Sequence, residues 1–270
     1  MRPADSRSQP PLWVLTAWLT LVALCLLTSG CQGLRALGVG TLTKTSSAGY
    51  QDGHPNVQTD AAAQPIAYDI ALTIDPHTNA YQGRVIIEVM LEKPRRTLTL
   101  AGDHLTVTKV VSRGGQTSQI GRAVAENKDS LTLLFPSALK AGKQLFLIDF
   151  KGQIRGDGKG LYRLSEDGKK YVLSRLNAVN TELAFPFFHR PFLRTPIALE
   201  LTVPATHVAI SNTPETQRQV EGTQTRFSFA SKKPVPVRSI AFAVGPFDVT
   251  EWPLMDTNGP TLRVITTQGK

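Results

Sequence analysis

The amino-acid sequence predicts an all-β protein, an antiparallel β-sandwich, and three observations carry that prediction. Short apolar–polar alternations recur from Pro65 onward. Gly, Pro, Asn and Asp punctuate the intervals between them. Nowhere does a long segment show the period of an amphipathic helix. Alternation sends one face of a strand to a core and the other to water, and many short strands at regular spacing fit a sandwich.

The strands are expected in this order. Tyr68, Ile70, Leu72 and Ile74 alternate with smaller or polar residues, and Val85, Ile87, Val89 and Leu91 share one face of the next strand. Asp75-Pro76 and Asn79 supply the turn between them. Short strands follow at 98–100, 105–107, 131–135 and 145–150, and later ones at 198–203, 208–211, 225–229 and 240–244. Between these groups lies "AFPFFHRPFLRTPIALELTVP", Ala184 to Pro204. Phe185, Phe187, Phe188 and Phe192 are expected to pack in the core and at the domain edge, with Pro186 and Pro191 fixing the bend.

The formal net charge is +9. Lys and Arg are scattered, aromatics make up 7% and no nucleic-acid module is visible, so the charge reads as a dispersed solvated surface and nucleic acid is not an expected partner. Affinity for anionic membrane or cell-wall polymers stays open.

The N-terminus has the layout of a secretory signal, with Arg2 and Arg7 ahead of the apolar run Leu12 to Leu27 and small residues after it. That run falls short of the ~20 apolar residues of a spanning helix. Leu27-Thr28-Ser29-Gly30-Cys31 resembles a bacterial lipobox, although Thr28 stands where Leu is usual. The resemblance implies a lipid on Cys31, an anchor in the membrane and, with Gln32 in place of a retention Asp, the outer membrane of a Gram-negative cell envelope. Cys25 would leave with the signal, so the mature chain would keep Cys31 alone, which excludes an internal disulfide and a cysteine-ligated metal. The expected divisions are a signal peptide at 1–30, a Gly/Ser/Thr/Gln/Ala-rich tether at 31–64, the β-sandwich at 65–252, and at 253–270 the start of a connection onward.

Several stretches together carry a family resemblance. They are "YDIALTIDP" at Tyr68–Pro76, "YQGRVIIEV" at Tyr81–Val89, "LTLLFPSALKAGKQLFLIDFKGQI" from Leu131, "GKGLYRL" at Gly158–Leu164, "LTVPATHVAISN" from Leu201 and "PVPVRSIAFAVGPFDVTE" from Pro234. In order and spacing they resemble the N-terminal β-domain of the aminopeptidase N family of zinc metallopeptidases. The chain departs from the family in "YVLSRLNAVNTELAFPFFHRP". The family reads Tyr, Thr-Gln-x-Glu, Ala-Arg, then Phe-Pro-Cys-Phe-Asp-Glu-Pro. Here Ser174 replaces the Thr, Arg175 the Gln, Asn177 the Glu, Thr181-Glu182 the Ala-Arg, Phe187 the Cys and His189-Arg190 the Asp-Glu.

Two expectations follow from the resemblance. The opposite charges of the family's Arg and Asp-Glu are exchanged but still attract, so Glu182 is expected to pair with Arg190 and pin the loop; the other reading leaves these side chains in solvent. The family's Gln and Glu hold the substrate's free amine, and an ammonium needs acceptors. Arg175 offers donors and a like charge, and Asn177 a neutral carbonyl. That position would repel or ignore a peptide N-terminus and sooner take a carboxylate. Decay of the recognition role is an equal alternative.

The zinc-binding HExxH motif of the family is absent from the sequence. His54, His77, His104, His189 and His207 read as surface or turn residues rather than ligands. No cofactor is expected in this chain, the family's zinc belonging to a catalytic domain that is not here. Alone it should not hydrolyse peptides. Two roles stand: the non-catalytic half of an aminopeptidase-like lipoprotein, whose catalytic half is encoded separately or lost by truncation, or a free-standing envelope binding or scaffold module. A polymer-binding sandwich is a third, resting on fold and charge alone. Peptide would be a substrate only with the catalytic half present.

Overall fold

The computed structural model describes residues 62–177, 179–190, 192–231, 233–252 and 262–270. The expected signal peptide, the tether with Cys31, His54 and Pro191 lie outside the described residues. In chain order the strands are β1 Ala63–Thr73, β2 Ala80–Leu91, β3 Arg95–Ala101, β4 Thr106–Gly114, β5 Thr117–Asn127, β6 Ser130–Leu139, β7 Gly142–Gln153, β8 Gly160–Glu166, β9 Lys169–Arg175, β10 Ile197–Pro204, β11 Val208–Ser211, β12 Glu215–Glu221, β13 Gln224–Ala230, β14 Phe242–Gly245, β15 Phe247–Trp252 and β16 Leu262–Thr267. Among the described residues, helix is limited to the 3-10 turns Thr181–Leu183 and Val237–Ser239.

Ten strands form one sheet in the order β12-β13-β10-β1-β2-β7-β4-β5-β6-β3. Four form a second, β11-β14-β9-β8, and β15 pairs with β16. Neighbours are antiparallel except β1 and β10, which run parallel from Tyr68↔Ile197 to Thr73↔Thr202. The expected sandwich is thus all-β and antiparallel-dominated, with one parallel seam.

The apolar alternation does what its period requires. Tyr68, Ile70, Leu72 and Ile74 are buried, as are Val85, Ile87, Val89 and Leu91. The two sheets share their core: Leu161, Val172, Phe242 and Val244 of the smaller one join the same cluster as Phe146, Ile148, Leu199 and Phe229 of the larger. Burial of each such side chain favours folding by about 1.5–3 kcal/mol.

The phenylalanine-rich segment crosses this core. Phe185, Phe187 and Phe188 are buried, whereas Phe192 is 73% exposed. Of the expected aromatic packing, Phe192 therefore takes no core part among the described residues; it stands beyond the bend, where the chain returns to the surface ahead of β10. The segment is held by main-chain and tyrosine hydrogen bonds. The Ala101 N–H donates to the Phe187 carbonyl at 2.8 Å, and the Phe187 N–H returns the bond at 3.1 Å. The buried Tyr81 hydroxyl donates to the Ala184 and Leu183 carbonyls at 2.7 and 3.1 Å. The Tyr68 hydroxyl accepts the Phe188 N–H at 3.1 Å. Burial pushes both phenols far above their ordinary pKa, so they remain neutral hydroxyls. Polar backbone inside a core needs such partners.

Candidate functional site

Five stretches of chain converge on a cleft of about 470 Å³. The β3–β4 connection brings Asp103 and His104, and the β5–β6 turn brings Lys128 and Asp129. The β7–β8 connection brings Arg155, Asp157 and Lys159; the end of β9 brings Arg175; the turn after it brings Asn177 and Glu182. Of the side chains expected to carry function, Arg175, Asn177 and Glu182 meet here. Arg190 is not among the lining residues; it is half-buried, with its charge felt at the Tyr68 hydroxyl.

The local sequence explains why the walls stand where they do. In "GDGKGLYRL", Gly160 has φ +59°, and a Cβ built on it would sit 2.7 Å from the Leu183 Cβ. Only glycine permits both that conformation and that approach. Gly160 also faces Arg175 across the β8–β9 ladder, so it sets the height of the Arg175 backbone. Arg163, further along β8, donates from Nε to the Pro76 carbonyl at 2.9 Å, from Nη1 to Asn79 Oδ1 at 3.0 Å, and from Nη2 to the Thr78 carbonyl. It clamps the β1–β2 turn onto the smaller sheet.

Within the cleft, Asp157 accepts from Arg155 Nε at 2.9 Å and from its Nη2 at 2.5 Å. Those bonds push the Asp157 carboxyl down to about 2 and raise the Arg155 guanidinium in turn. The Lys159 N–H adds a bond to Asp157 Oδ1 at 3.3 Å. Asp103 lies 2.6 Å from His104 Nδ1, and its own N–H donates to the Glu182 carbonyl at 2.8 Å. Glu182 is 3% exposed, so its carboxyl belongs to the wall rather than the mouth.

Asn177 behaves differently from its expected part. Its Oδ1 accepts the Val179 N–H at 3.0 Å, which makes it the cap of its own turn. Its main-chain carbonyl accepts from Thr181 Oγ1 at 2.8 Å. The acceptor that sequence reasoning assigned to it is already engaged, and the Nδ2 donors are what remain. Among the described residues, the side chains of Lys128, Lys159 and Arg175 make no ion pair. Sequence reasoning passed over Asp103, Lys128, Arg155, Asp157 and Lys159. The available clue was the alternation of glycine and charge in Gly156-Asp157-Gly158-Lys159-Gly160.

Zinc does not fit the described residues. His77 and His207 pack edge to face with ring centroids 5.8 Å apart, and the His77 main-chain N–H donates to Asp75 Oδ1. Among the described residues, no group of three or more His, Cys, Asp or Glu is placed to hold a metal ion. His207 also departs from the surface role expected of it, being 8% exposed.

Residues 64–237 match the family described as the Peptidase M1 N-terminal domain. Aminopeptidase M1-C of Oryza sativa subsp. japonica is 26% identical over 212 residues, covering 77% of this chain and 24% of the relative. Aminopeptidase N of Acetobacter pasteurianus is 27% identical over 187 residues, covering 67% of this chain and 52% of the relative. Among solved structures, an M1 zinc metallopeptidase from Deinococcus radiodurans superposes with a TM-score of 0.61 at 21% identity, over 78% of this chain and 49% of that one. The chain thus spans between about a quarter and about half the length of these relatives.

Proposed function

The chain belongs to the Peptidase M1 N-terminal domain family, and from that premise we propose that it is the non-catalytic β-wall of an aminopeptidase-like lipoprotein. The observation that carries this reading is the convergence of Arg175 and Asn177 on one cleft, with donors outward. In this family zinc is held by the catalytic domain. The chemistry at a peptide's N-terminal bond would therefore come from a catalytic half carrying HExxH, and this chain would shape and restrict the approach to it. A domain that faces substrate with Arg175 and Asn177 disfavours an ammonium, because guanidinium and amide nitrogens only donate. A lipid on Cys31 would hold the domain at the outer membrane.

The test is an assay of the purified chain on alanine p-nitroanilide with added zinc. No turnover above the blank is expected. Robust hydrolysis by the chain alone would overturn the reading. Fractionating cells that carry Cys31→Ser checks the anchor: the variant should leave the membrane fraction for the soluble one, and its retention there would count against lipidation.

A further inference from the structure

We propose that the cleft binds a carboxylate, gripped by the Arg175 guanidinium with the Asn177 amide and the Lys159 ammonium as neighbouring donors. The inference deepens the reading of this cleft as a substrate-facing wall and rests on it.

Four kinds of observation converge. Four acids line the cleft: both oxygens of Asp157 face Arg155, Asp103 faces His104, Glu182 is buried, and Asp129 is half-buried with a partner of its own. The cations Arg175, Lys159 and Lys128 carry charge without an ion-pair partner among the described residues, and all three are exposed. Asn177 has its oxygen fixed by the Val179 N–H, so its remaining hydrogen-bonding capacity is donation. Finally, Arg175 closes β9 on a paired backbone, and the chain opposite it carries no bulk: its Nη1 lies 4.0 Å from where a Gly158 Cβ would be. The guanidinium therefore stands beside bare backbone, with its planar fork accessible. A carboxylate is the anion whose geometry matches that fork bidentately, and Arg is suited to it where Lys is not. An ammonium would meet the like charges of Arg175, Lys159 and Lys128 at the mouth.

The carboxylate could be a peptide C-terminus or an acidic side chain, and the probes separate the two. The full chain in detergent is titrated calorimetrically with N-acetyl-alanyl-alanine, with N-acetyl-glutamyl-alanine amide, and with alanyl-alanine amide. The first carries only a terminal carboxylate, the second only a side-chain one, and the third only an ammonium. Saturable binding of either carboxylate probe, and none of the ammonium probe, is expected. Arg175→Gln should weaken that binding about tenfold or more. Asn177→Asp keeps the acceptor for the Val179 N–H and so keeps the turn, but it sets a negative charge at the mouth; it should abolish carboxylate binding. Preference for the ammonium probe, silence of both carboxylate probes, or indifference to Arg175→Gln would each overturn the proposal. Hydrolysis of alanine p-nitroanilide would sink the non-catalytic reading alone, because carboxylate binding is read separately and does not need turnover.

Discussion

Replacing Tyr68 with Phe tests how the aromatic segment is fastened. The change removes the oxygen that accepts the Phe188 N–H at 3.1 Å and keeps the ring. Tyr68 is 2% exposed and Phe188 1%, so bulk water does not reach the orphaned donor. A buried N–H left without a partner costs about 1–3 kcal/mol, and the ring itself leaves only an atom-sized void. Taking the middle of that range, about 2 kcal/mol, a domain of this size should lose roughly 4–8 °C in Tm. The assay is thermal unfolding followed by far-UV circular dichroism, with Tyr162→Phe as the comparison. Tyr162 is half-buried, and its hydroxyl makes no hydrogen bond among the described residues. Should Tyr68→Phe move the midpoint no further than Tyr162→Phe, the hydroxyl does not fasten the loop and the reasoning fails.

Gly160→Ala should destabilise by about 2–5 kcal/mol, combining the left-handed backbone cost with overpacking against Leu183; a urea midpoint within about 1 kcal/mol of wild type would contradict the close approach. We propose that Glu182 pairs with Arg190. Breaking a buried pair from one side costs about 3–5 kcal/mol, so Glu182→Ala and Arg190→Ala should each be costly and the double variant less than their sum; additive effects would dismiss the pair. His207 is held below its ordinary pKa chiefly by burial, with His77 adding to the shift and Asp75 opposing it. A folded-state pKa below the unfolded one means the stability is present above the unfolded value and is lost as pH falls through the folded one. His207→Gln should therefore lessen the acid loss of stability below neutrality, and a parallel pH profile for variant and wild type would rule this out.

The sequence revealed strands wherever one face was buried. β1, β2, β7 and β10 were legible because their apolar residues alternate against a core. β12 was not: every residue of Glu215–Glu221 after the first is exposed, and such an edge writes no alternation. The β8–β9 hairpin left a sign that went unread, the Asp167-Gly168 pair, whose φ values of +49° and +74° are those of a tight hairpin turn. The parallel pairing of β1 with β10 has no local signature at all. In the cleft, Arg175 and Asn177 stood out by departing from a family pattern. The engagement of the Asn177 oxygen depends on a backbone N–H two residues on, which composition does not reveal. The tyrosine fastenings join residues 102 to 120 positions apart and are legible only once the chain is folded.

That parallel seam also sets an order of events during synthesis. Of the described strands β1 emerges first, yet the edge it gives to β10 stays bare until Ile197 has followed it. Closing such a distant pair is entropically slow, and an unpaired strand edge invites strangers. A ribosome-bound chain therefore exposes an adhesive flank through most of its birth, and its safe folding calls for something to hold that flank meanwhile.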